Sequence, residues 1–243
     1  MSAAFLWGLF AGSSLLVGGV LALRLRIDRS VLGLIMAFGA GVLISAVAYD
    51  LVEEALDTTA GGGGVALGLA AGAMTFFVGN LALERRGGKG RKRSSGEQAS
   101  GAPLAIVLGI VLDGIPESIV IGLGLLAGGG VSVAVVAAVF LSNVPEAIAA
   151  TTGLAASGWT RARILGLWAL VALVSGLASL AGYAAFDDAS PRTIAFVLSF
   201  AAGAILTMLA DTMMPEAFEH GGSKVGLATT FGFGLALALS TLA

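Results

Sequence analysis

Two stretches decide how this chain folds: L-A-I-V-L-G-I-V-L-D-G-I-P-E-S-I-V-I-G-L-G-L-L-A at 104–127 and V-S-V-A-V-V-A-A-V-F-L-S-N-V-P-E-A-I-A-A-T-T-G-L-A at 131–155. Each is long enough to cross a bilayer core as a helix, which takes about 20 apolar residues. Each also breaks its apolar run with a Pro-Glu step: Asp113-Gly114-Ile115-Pro116-Glu117 in the first and Ser142-Asn143-Val144-Pro145-Glu146 in the second. Only Gly128-Gly129-Gly130 separates the two, so the turn between them is expected to be tight.

The rest of the chain has the same character. Of 243 residues, 57% are hydrophobic and 12% charged, against about 25% charged in an average globular chain. That is too little charge to cover a soluble core of this size, and the mean hydropathy of +0.98 points to lipid as the solvent. The 37 glycines sit inside Leu/Val/Ala runs, where small residues let membrane helices approach closely. The absence of cysteine excludes disulfides, thiolate metal sites and cysteine nucleophiles. The start, Met1-Ser2-Ala3-Ala4, lacks the positive n-region of a secretory signal, so the first apolar run is expected to persist as a helix.

Working outward from 104–155, eight apolar runs are legible, at about 4–23, 31–52, 65–83, 104–127, 131–155, 162–185, 193–214 and 224–242. The reading is an all-α polytopic membrane domain over 1–243. Eight spans put both termini on one side. The basic residues choose which side: Arg24, Arg26, Arg29, Arg85, Arg86, Lys89, Arg91, Lys92, Arg93, Arg161, Arg163 and Lys224 all fall on one face, and only Arg192 on the other. By the positive-inside rule that face is cytoplasmic, so both termini of this multi-pass protein are expected outside the cytoplasm, in a cell (inner) membrane. The basic segment 84–103 reads as a flexible cytoplasmic linker able to touch anionic lipid. A nucleic-acid partner is not expected, since a juxtamembrane basic run is ordinary topology signalling.

The second and seventh runs align without gaps: G-A-G-V-L-I-S-A-V-A-Y-D-L-V-E-E-A (39–55) with A-A-G-A-I-L-T-M-L-A-D-T-M-M-P-E-A (201–217), matching Gly41 to Gly203 and Glu54 to Glu216. The two runs cross in opposite directions, as do the fourth and fifth with their matched Pro-Glu steps. This predicts inverted repeats relating spans 1–3 to 6–8 and span 4 to span 5, the arrangement that puts transport sites near the bilayer midplane. Chance similarity between Ala/Gly-rich helices explains the small residues but not the matched Pro-Glu pairs.

Asp113 and Glu117 lie four residues apart, on one helix face. Pro116 leaves the Leu112 carbonyl without its helical donor, and such an oxygen can line a polar cavity. Glu146 follows Pro145, with Asn143 and Ser142 about one turn before. No Lys or Arg lies in either run to neutralise the three carboxylates. Uncompensated carboxylates at membrane depth call for cations or protons; a structural kink with protonated acids is the plainer alternative. Flanking them, Asp50, Glu53, Glu54 and Asp57 are spaced to share a face at the outer end of the second span. Asp211, Glu216, Glu219 and His220 cluster at the inner end of the seventh. Asp50, Glu54, Asp211, Glu216 and His220 are candidates to line an ion path; solvated helix ends are the alternative, with Asp50 and Asp211 expected to lie deeper. With one histidine in the chain there is no His-rich site and no H-E-x-x-H.

These residues resemble the ZIP (Zrt/Irt-like) family of divalent metal transporters over nearly the whole chain: eight spans, both termini outside, a variable cytoplasmic loop after the third span, and Pro-Glu in the fourth and fifth. The family's fourth span reads H-N-x-P-E-G, and here Asp113 stands at the usual histidine and Gly114 at the asparagine. The fifth-span motif matches at Asn143, Pro145 and Glu146, with Ser142 where His or Gln is common. The family's His-rich loop after the third span has no counterpart. The resemblance implies a metal site from Asp113, Glu117, Ser142, Asn143 and Glu146, movement of a divalent metal ion into the cytoplasm as substrate rather than cofactor, and often a homodimer. An oxygen-rich, imidazole-free site suits manganese or ferrous iron and still admits zinc. Two other classes stand beside this reading. A membrane enzyme acting on a lipid-phosphate is disfavoured because phosphate chemistry recruits Arg or Lys to developing charge, and none lies deep in any run. The other is a non-transporting scaffold of the same family.

Overall fold

The computed structural model describes residues 1–25, 27–59, 62–83, 85, 103–126 and 133–242, with the side chains at 103–107, 112, 113, 134 and 242 left out. The Gly128–Gly130 turn and nearly all of the basic segment lie outside the described residues. Every regular element among the described residues is helical. In chain order they are α1 Ser2–Arg24, α2 Arg29–Ala46, a π-helical turn Val47–Glu53, α3 Glu54–Asp57, α4 Gly63–Leu83, α5 Pro103–Gly124, α6 Val133–Ala156, α7 Arg161–Phe186, α8 Pro191–Met208, a second π-helical turn Leu209–Met213, α9 Met214–Gly221, a 3-10 turn Gly222–Lys224 and α10 Val225–Leu242. The turns join their neighbours, so α2–α3 and α8–α9 each run as one rod.

Local chemistry sets the ends. The Asp28 carboxylate accepts from Ser30 N at 2.8 Å to start α2. Thr160 caps α7, and Ser190 caps α8 ahead of Pro191; in each case a side-chain oxygen takes one of the orphan N–H groups of the first turn. Gly222, at φ +60°, breaks the chain between α9 and α10 in a backbone conformation that a residue with a Cβ rarely adopts.

Six helical stretches among the described residues are long and apolar enough to cross a membrane: Ser2–Arg24, Arg29–Asp57, Gly63–Leu83, Val135–Ala156, Arg161–Phe186 and Pro191–Thr241. The last contains the break at Gly222. α5 adds a further helix of 22 residues. Outward faces carry Leu67, Met74 and Phe77 on α4 and Leu227, Phe231 and Leu235 on α10, all exposed, as lipid-facing helices require. The chain is thus a helical membrane protein.

The helices gather in two groups. α1 packs along α6 and α7, with α5 against α7; α2 packs along α9 and α10, with α4 against α8. The groups meet where α2 crosses α6 and α5 crosses α8. Within the first, Ser179 Oγ donates to the Ala4 carbonyl at 2.8 Å and Trp168 Nε1 to Thr151 Oγ1 at 2.8 Å, both buried. Within the second, glycines bring backbones together in reciprocal pairs. A Cβ on Gly41 would strike the Thr229 carbonyl and one on Gly232 the Phe38 carbonyl; a Cβ on Gly203 would strike the Leu69 carbonyl and one on Gly72 the Phe200 carbonyl. Phe38 and Gly41 stand in the same ungapped alignment with Phe200 and Gly203, so α2–α10 and α8–α4 are built on one pattern. The two π-turns follow that alignment as well, starting at Val47 and Leu209.

Candidate functional site

The site is assembled on α5 and α6 around their prolines. Pro116 and Pro145 lie inside their helices, where each removes an N–H and loosens a turn. In α5 the Ser118 hydroxyl donates to the Gly114 carbonyl at 2.7 Å, a back-bond of the kind that bends helices. In α6 the Ser142 hydroxyl donates to the Val139 carbonyl at 3.1 Å.

Four of the motif residues are buried. Glu117 is 2% exposed, Ser142 0%, Asn143 7% and Glu146 7%. Glu117 and Glu146 are therefore held inside an apolar helix bundle, each immediately after a proline, and Glu216, after Pro215 at the start of α9, is a third such buried glutamate. The Asp113 side chain lies outside the described residues, so its relation to them is not part of the geometry; its backbone lies on α5, one turn before Glu117.

α2 and its π-turn close over both helices. Val47 and Leu51 of the π-turn share a small apolar cavity with Glu117, walled also by Leu43, Val139 and Ile205. A Cβ on Gly39 would lie 3.3 Å from Ser142 Cα, 3.3 Å from the Met213 methyl and 3.4 Å from the Leu141 carbonyl. That carbonyl is the one that Pro145 deprives of a donor, so α2 seats on the loosened turn of α6. Val47, Leu51 and Met213 are each at most 2% exposed. Motif reading missed these three because apolar residues in an apolar run carry no chemical signal; the only hint was their place in the ungapped alignment, Leu51 against Met213.

The flanking candidates divide. Glu216 is 4% exposed. Asp50 and Glu54 are half-buried, and Glu53 and Asp57 are exposed. The single helical face expected for the outer four is interrupted, because Asp50 and Glu53 lie in the wider π-turn and Glu54 and Asp57 in α3. Asp211 and Glu219 are exposed. The π-turn Leu209–Met213 buries Leu209 and Met213 instead. His220 is half-buried against Gly33 of α2, with Nε2 covered and without a hydrogen-bond partner. Among the described residues no three His, Asp or Glu side chains gather closely enough to hold a metal ion. Neither flanking cluster is thus a three-ligand site, and a full set at the centre needs oxygens beyond Glu117 and Glu146.

No family model matches this chain, and no curated protein sequence matches it.

Proposed function

We propose that this chain is an eight-span transporter of the ZIP kind, which carries a divalent metal cation into the cytoplasm through a midplane site on α5 and α6. The observation that carries the reading is the pair of buried post-proline glutamates, Glu117 and Glu146, on two loosened helices, α5 and α6, whose apolar runs 104–127 and 131–155 contain no Lys or Arg. A carboxylate held at membrane depth calls for a cation or a proton. A site that must release its ion favours carboxylate and amide oxygens over a closed thiolate or imidazole cage. Asp113, Glu117, Ser142, Asn143 and Glu146 supply that chemistry, and its hardness favours manganese and ferrous iron while admitting zinc. Half-buried Asp50 and Glu54 mark the outer approach. Glu216 and His220 mark the inner exit, and exposed Asp211 stands beside it.

Inverted repeats support the reading: the paired π-turns and the reciprocal glycine contacts of α2–α10 and α8–α4 fall at aligned positions. The enzyme reading would want Arg or Lys at the developing charge, and the runs 104–127 and 131–155 contain neither. Equilibrium binding of manganese and zinc to detergent-purified protein tests the site. Saturable binding that is lost in the Glu117→Gln/Glu146→Gln double variant supports it; equal binding by the double variant removes it.

A further inference from the structure

We propose that the π-turn Val47–Glu53 is an outer gate over Glu117, which opens by a one-residue slip of helical register that replaces Leu51 with Asp50 at the cavity. The inference rests on the transport reading for its purpose but on separate observations for its mechanics. A π-turn is an α-helix carrying one extra residue, and such turns concentrate at functional sites. The extra residue can migrate along the helix. When it passes a side chain, that side chain turns by about 100° and its sequence neighbour takes its place. Here the wall of the Glu117 cavity is made in part by Val47 and Leu51, both 2% exposed, and half-buried Asp50 is next to Leu51 in the chain. Migration of the extra residue toward Glu54 puts Asp50 into the slot of Leu51. An apolar wall becomes a carboxylate, and a cation gains a ligand leading to Glu117.

The flanks confine the motion to this turn. Gly41 is locked against the Thr229 carbonyl on the N-terminal side, and Ala55 on the C-terminal side is fully buried. The rod α2–α3 therefore has one place where register can change without unseating its ends. The second π-turn repeats the device on the other Pro-Glu helix. Met213, aligned with Leu51, lies beside Ser142 of α6 across Gly39, and its sequence neighbour is polar Thr212.

Because the chain has no cysteine, Leu51→Cys can be labelled alone with a water-soluble thiol reagent in proteoliposomes, with and without manganese. Deleting Ala48, which is exposed, removes the extra residue without removing a core side chain and fixes the register. We expect Leu51→Cys to be protected without metal and labelled with manganese, and the metal effect to be lost when Ala48 is also deleted. Manganese uptake by the ΔAla48 chain is expected to be lost while its melting and monodispersity stay like the parent's. Should ΔAla48 misfold, hydrogen exchange of the undeleted chain decides the point: amides 48–54 must exchange faster than those of α2. Wild-type uptake by ΔAla48, or metal-independent labelling in a chain that transports manganese, would overturn the gate. If the parent chain takes up no metal, the transport reading fails, and the same exchange comparison still judges the register slip.

Discussion

A carboxylate at the bilayer centre costs roughly 2.5–3.5 kcal/mol on insertion scales, and the runs that carry buried Glu117 and Glu146 contain no Lys or Arg of their own. Natural chains keep such groups where function needs them. Glu117→Gln and Glu146→Gln should therefore fold as well as the parent or melt slightly higher, since a neutral amide is cheaper to bury than a charge. They should also lose stabilisation by metal. At a hundredfold excess over Kd, a bound ion contributes about 2.7 kcal/mol, so the parent should show a rise in melting temperature with manganese that neither variant shows. Thermal melts in detergent make the comparison; an equal rise in both variants would remove the glutamates from the site. Asp113→His puts a softer nitrogen where the sequence offers a hard oxygen, and competition between zinc and manganese should move toward zinc. A competition ratio that does not change would show that Asp113 does not set selectivity.

At the scale of helices, backbone proximity is the testable feature. Alanine at Gly41 or Gly203 must push its Cβ against a carbonyl of the neighbouring helix, an overpacking that costs about 1–3 kcal/mol. Gly234 has open space around it, so Gly234→Ala should change stability by no more than about 0.5 kcal/mol. Melts of the three variants check this, and a loss at Gly234 equal to that at Gly41 would mean the glycine contacts are not what holds α2 to α10. Much of this architecture was legible in the sequence. The long apolar runs gave the helices to within a few residues, although the second and seventh run further, to Asp57 and Gly221. The prolines mark the loosened turns, and the motif residues Glu117, Ser142, Asn143 and Glu146 are each buried. The π-turns were not legible. They differ from α-helix by one extra residue, and in a run that is apolar on every face no periodicity marks the slip. The same lack of a polar face hid the exposure of Asp211: in a helix that can meet lipid all round, hydropathy says how deep a residue lies but not which way it points.

Acidic groups lie at the C-terminal ends of the α2–α3 and α8–α9 rods, and on the eight-span reading twelve of the thirteen basic residues fall on one face. If that face is cytoplasmic, exposed Asp57 and exposed Glu219 lie on opposite sides of the membrane. Asp57→Cys in intact cells should react with an impermeant thiol reagent, while Glu219→Cys should react only after permeabilisation. The reverse pattern would invert the orientation, and labelling of both from one side would break the span count.

Transport through α5 and α6 is tested by uptake of radioactive manganese and zinc into proteoliposomes that hold the purified chain, beside proteoliposomes that hold the Glu117→Gln/Glu146→Gln variant. The expected result is saturable, time-dependent accumulation by the parent, with each metal competing against the other, and a variant no faster than empty liposomes. Accumulation at the same rate by the variant, or none by a parent chain that is folded and binds metal, would contradict the account.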